Sequence, residues 1–107
     1  MTFVNKTELS ILVEICRKFF ISKRENGAYL NFIYRTARGR DFCFVIEKAD
    51  TLCDFADSLY DYWQGFGVDA ETASWVDDAD VKECDELLER FWVEVQTKTR
   101  SLALSNA

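Results

Sequence analysis

Apolar residues open this chain at helical spacing. Leu9, Leu12, Val13, Cys16 and Phe20 form a stripe that Ile11, Ile15 and Phe19 widen, so the pattern predicts a helix capped by Thr7 and running to about Ser22. Glu14 and Lys18 make an i,i+4 pair on its wet side. Lys23–Gly27 breaks the pattern, with Asn26-Gly27 as the turn signal. The period then changes from 3.6 to 2. Tyr29–Thr36 puts Leu30, Phe32 and Tyr34 on one face and Asn31, Ile33 and Arg35 on the other. Asp41–Glu47 alternates in the same way, with Phe42, Phe44 and Ile46 opposite Cys43, Val45 and Glu47. Around the turn Ala37-Arg38-Gly39-Arg40 this reads as a β-hairpin. A lone hairpin is marginal in water, so helices must cover its aromatic face.

Helical periodicity returns in the second half. Asp50 is placed to cap a helix over Thr51–Phe66, with an apolar stripe of Leu52, Phe55, Ala56, Leu59, Tyr62, Trp63 and Phe66. Gly65 and Gly67 end it. Asp69 can cap a short helical turn through Trp75. Asp80-Val81-Lys82-Glu83 has the form of a capping box, with Asp in place of Ser or Thr, for a final helix presenting Val81, Cys84, Leu87, Leu88, Phe91, Trp92 and Val95. Lys98 and Arg100 suit the negative end of its dipole, and Ser101–Ala107 reads as a fraying tail. The expected fold is one α+β domain over residues 1–107. It is an antiparallel β-hairpin packed against three helices, in the order α-β-β-α-(short α)-α.

Composition narrows the function. A chain of 107 residues with 49% hydrophobic and 15% aromatic content can bury a core. Nothing at the N-terminus has the form of a signal peptide, and no run reaches the roughly 18–20 apolar residues of a membrane span, so the expected setting is the cytoplasm. Cys16, Cys43, Cys53 and Cys84 lie far apart in apolar stretches without a CxxC, which reads as four reduced core thiols rather than a zinc site. With no histidine, the commonest general base is missing. Neither a GxSxG nor a phosphate-binding loop occurs, so neither an enzyme nor a cofactor is expected. Asp77, Asp78 and Asp80 fail the EF-hand pattern, lacking its central Gly and final Glu, and fit a solvated helix N-terminus better than a metal site.

Charge adds the most. Residues 1–48 hold nine Lys/Arg against five Asp/Glu, whereas residues 49–107 hold four against fourteen, giving +4 and −10. Opposite fields on two parts of one small body point to a partner. Asp50, Asp54, Asp57 and Asp61 are spaced four, three and four, along one face of the second helix and opposite its apolar stripe. Successive carboxylates rise about 5–6 Å, approaching the spacing of phosphates along a nucleic-acid strand. Asp77, Asp78, Asp80, Glu83, Asp85, Glu86, Glu89 and Glu94 extend the negative surface. Like charges at i,i+4 repel. The stripe is therefore either a surface that competes with DNA or RNA for a basic groove, or a solvated, solubilising face. Arg35, Arg38 and Arg40 at the hairpin tip, near Arg17, Lys18, Lys23 and Arg24, could instead grip a nucleic-acid backbone. The net charge of −6 opposes that, and pairing of these cations with the acidic half or with a second copy is the competing reading.

Tyr60-Asp61-Tyr62, Gly65-Phe66, Val68-Asp69 with Glu71, and Trp75-Val76-Asp77 ahead of an acidic last helix resemble short acidic proteins of phages and integrative mobile elements, over roughly Leu59–Val95. Such proteins often block host defences, some by mimicking DNA. The resemblance carries over no functional residue and names no target, but together with the acidic stripe it leads to the expectation of a non-enzymatic anti-CRISPR or antirestriction inhibitor that occludes the nucleic-acid groove of a basic nuclease complex in a bacterial host. Asp54, Asp57 and Asp61 would act as phosphate mimics, helped by Asp77, Asp78, Asp80, Glu83 and Glu86, with no direct contact to nucleic acid. The alternative is a structural or regulatory interaction module, such as a homodimer joined through sheet edges or through Tyr60, Trp75 and Trp92.

Overall fold

The computed structural model describes residues 6–65 and 78–105. Helix α1 (Lys6–Lys18) leads into a three-stranded antiparallel meander, β1 (Ile21–Asn26), β2 (Tyr29–Arg35) and β3 (Asp41–Glu47). Helices α2 (Leu52–Gly65) and α3 (Asp78–Ser105) follow. The class is α+β as expected, and the two predicted strands are present, but the predicted element order is not.

The extra strand comes from the segment read as a helix end and a break. Phe20 adopts φ 58°, a left-handed conformation that terminates α1 earlier than its apolar stripe suggests. The chain leaves extended and pairs from Ile21↔Tyr34 to Asn26↔Tyr29. Asn26-Gly27 does mark a turn, with Gly27 at φ 60°, but the turn joins β1 to β2. The predicted hairpin is β2–β3, in register from Tyr29↔Glu47 to Arg35↔Asp41. Thr36, itself buried, closes its loop: its N–H donates to the Arg40 carbonyl (2.8 Å), its carbonyl accepts from Gly39 N–H (2.9 Å), and its hydroxyl oxygen accepts from Arg40 N–H (3.1 Å).

Helices α1, α2 and α3 all cover one face of the sheet. Ile21, Leu30, Phe32, Phe42, Phe44 and Ile46 supply the sheet side of the core, and Leu12, Phe55, Leu59, Leu87, Leu88 and Phe91 the helix side. Phe91 is the hub. Its ring meets Phe32, Phe44 and Phe55 at 5.8, 6.3 and 6.2 Å, all edge-on, the favoured geometry for aromatic pairs.

Other boundaries move for identifiable reasons. Thr51, not Asp50, caps α2: its hydroxyl accepts from Asp54 N–H at 3.1 Å. Helix α3 starts at Asp78, so Asp80 lies in its first turn and is no cap. The helix continues through Ser105, so Lys98 and Arg100 fall short of the last turn. Cys16 and Cys84 are buried, but Cys43 on the outer sheet face and Cys53 on α2 are exposed, so only two thiols belong to the core. The predicted turn from Asp69 to Trp75 lies outside the described residues.

Candidate functional site: the acidic face of the helical layer

Asp54, Asp57 and Asp61 are all exposed on α2, on the side away from Leu52, Phe55, Ala56, Leu59 and Tyr62. Among the described residues no cation pairs with any of the three. The side chain of Asp50, one residue before the Thr51 cap, is exposed as well. Gly65 closes the helix with no basic residue in the last turn, so its own carbonyl end adds to the negative field.

Helix α3 runs antiparallel to α2 along their shared seam. Trp63 Nε1–H donates to Asp85 near the start of α3 (3.0 Å), and Tyr60 meets Trp92 farther along, with ring centroids 5.1 Å apart. Trp63 lies 5.9 Å from Tyr60 and 6.0 Å from Trp92, completing an aromatic triad. Asp57, Tyr60, Asp61, Trp92 and Gln96 wall an open groove beside it. At 100° per residue, Asp78, Asp85, Glu89 and Gln96 fall in one line on α3, next to Trp92. Asp78, Asp85 and Glu89 are exposed along that line, and Glu86 is exposed about a fifth of a turn away.

Two predicted site residues do not belong to this surface. Asp80 is 0% exposed and lies against Arg40, with Nε 3.1 Å from Oδ2; among the described residues neither carboxylate oxygen accepts a hydrogen bond. The contact is ionic, and it removes Asp80 from any partner's reach. Glu83 is occupied by the hairpin tip: it accepts from Tyr34 O–H at 2.5 Å, and from Ala37 N–H with 3.1 Å to each oxygen. Burial and the Glu83 hydrogen bond together push the Tyr34 phenol up to about 12. Both acids fasten α3 to the β2–β3 loop. Asp77 lies outside the described residues.

The basic half is partly consumed in the same way. Lys18 pairs with Glu94 of α3 at 3.2 Å, Arg35 with Asp41 at 3.0 Å and Lys48 with Glu25 at 3.6 Å. Two of the ion pairs, Lys18–Glu94 and Arg40–Asp80, therefore join the basic half to the acidic half, as the competing reading expected.

The aromatic contribution is what sequence reasoning missed at this site. The sequence offers Tyr60 and Trp92 as interface aromatics together with Trp75, and Asp85 and Glu89 as extensions of the negative surface, but does not bring the two sets together. The offsets 78, 85, 89, 92 and 96 carried the signal, but only the side of α3 that meets α2 makes them one line.

Among the described residues, no group of three or more His, Cys, Asp or Glu is arranged to hold a metal ion, and no helix is long and apolar enough to cross a membrane. No family model, no curated protein and no solved structure matches the chain.

Proposed function

We propose that this chain is a non-enzymatic inhibitor that binds a basic, nucleic-acid-targeting defence complex of the anti-CRISPR or antirestriction type and occludes its nucleic-acid groove. The observation that carries the reading is the exposed Asp54, Asp57 and Asp61 row, opposite the α2 core and paired with no cation among the described residues. Self-repulsion along such a row costs folding energy and is relieved by a positively charged partner. Asp78, Asp85, Glu86 and Glu89 broaden the face. Asp80 and Glu83 are structural and leave the mimic set. The hairpin tip is a poorer nucleic-acid grip, because Arg35 and Arg40 are already engaged by Asp41 and Asp80.

Cleavage assays test the reading. The protein is mixed with guide-loaded CRISPR nucleases and with restriction complexes before or after plasmid DNA is added. Inhibition that is strong when the protein comes first, weak when DNA comes first, and relieved by salt is the expected result. Full cleavage by every complex in the panel refutes it.

A second reading has its own observation. On the outer sheet face Val45 is 47% and Tyr29 49% exposed, and among the described residues β1 and β3 are both edges. This favours a homodimer built through the sheet. A solution mass of twice 12.5 kDa, unchanged by salt, is its signature.

A further inference from the structure

Exposed carboxylates alone attract any cation, but the α2–α3 groove offers more than charge. Asp57 and Asp61 share it with the rings of Tyr60 and Trp92, which stand 5.1 Å apart. Trp63 buttresses both rings and is itself fixed by Asp85, so the aromatic wall is held before anything binds. Preorganisation of this kind lowers the ordering cost of binding. Trp92 Nε1–H is buried and has no acceptor among the described residues, so the groove presents the Trp92 ring rather than this donor. A small, strongly hydrated ion gains little from ring faces. A guanidinium is planar and weakly hydrated, stacks on aromatic rings, and bonds carboxylates through several N–H groups at once.

We propose that this groove seats an arginine side chain of the basic partner, with the guanidinium bonded to Asp57 or Asp61 and stacked against Tyr60 and Trp92. The inference rests on the acidic face being the partner-binding surface, and adds to it a preference for arginine over lysine that charge alone does not give.

The test uses the full chain with nona-arginine and nona-lysine peptides at low salt, following the Trp92 indole N–H by NMR and affinity by titration. Nona-arginine is expected to bind more tightly and to shift that resonance. Tyr60→Leu should weaken nona-arginine about three- to fivefold and erase the preference, whereas Tyr60→Phe should keep both. Asp57→Asn with Asp61→Asn should weaken both peptides. If Tyr60→Leu binds like the parent and the indole does not move while the Asn variant weakens both peptides, the arginine seat is refuted and the acidic-surface reading stands. If neither substitution changes binding, both are refuted.

Discussion

Two ion pairs of similar length have very different weight. Arg35–Asp41 and Arg40–Asp80 measure 3.0 and 3.1 Å. The first is exposed at both ends, where solvent screens it and it contributes little. The second has one partner completely buried, and removing its cation strands a carboxylate away from water at roughly 3–5 kcal/mol. Chemical denaturation should therefore find Arg35→Gln nearly silent and Arg40→Gln severe. Phe91→Ala should cost about as much, roughly 3–5 kcal/mol, because it empties the centre of the aromatic core. The cysteines divide in the same way. Burial pushes the Cys16 and Cys84 thiols up to about 12, whereas Cys43 and Cys53 face solvent. A thiol reagent at neutral pH should modify two cysteines in the folded protein and four after denaturation.

At the scale of elements, the contact between α3 and the β2–β3 loop organises the chain, and Glu83 is its centre. Glu83→Ala should speed hydrogen exchange at the Ala37 amide about tenfold, the effect of losing one hydrogen bond to a charged acceptor. The fold is also sensitive to base. Tyr34, Cys16 and Cys84 all have pKa values raised in the fold, so folding favours their neutral forms. That stabilisation is complete below the ordinary values of 9 for the thiols and 10 for the phenol, and is lost as pH rises through about 12. Urea midpoints should fall from pH 9 upward, and Tyr34→Phe should make the fall above pH 10 shallower, leaving the part due to the two thiols. These elements were not equally legible. Strands β2 and β3 announce themselves because every second residue is a large apolar one that enters the core. Strand β1 does not: of Ile21-Ser22-Lys23-Arg24-Glu25-Asn26 only Ile21 is buried, and the rest is held by backbone pairing that leaves no mark in the side-chain pattern. The Asp row on α2 was readable because exposure follows from its position opposite an apolar stripe. The fates of Asp80 and Glu83 were not, because both depend on a loop more than 35 residues earlier in the chain.

Across the whole molecule, the sheet fixes one side of the helical layer and leaves the other side to charge. Ion pairs to α3 take up part of the basic half, through Lys18 and Arg40, while the acids on the far side of α2 keep their charge facing solvent. The net charge of −6 is thus concentrated rather than spread, and a concentrated field steers a basic partner and orients its approach. The most direct test is displacement of fluorescent target DNA from a guide-loaded nuclease or a restriction complex that the protein inhibits, comparing the parent chain with Asp54→Asn/Asp57→Asn/Asp61→Asn at two salt concentrations. Three exposed charge contacts of up to about 1 kcal/mol each predict a loss of about 10–100-fold in potency and a shallower salt dependence. A triple variant that displaces DNA as well as the parent, with the same salt dependence, would contradict the account.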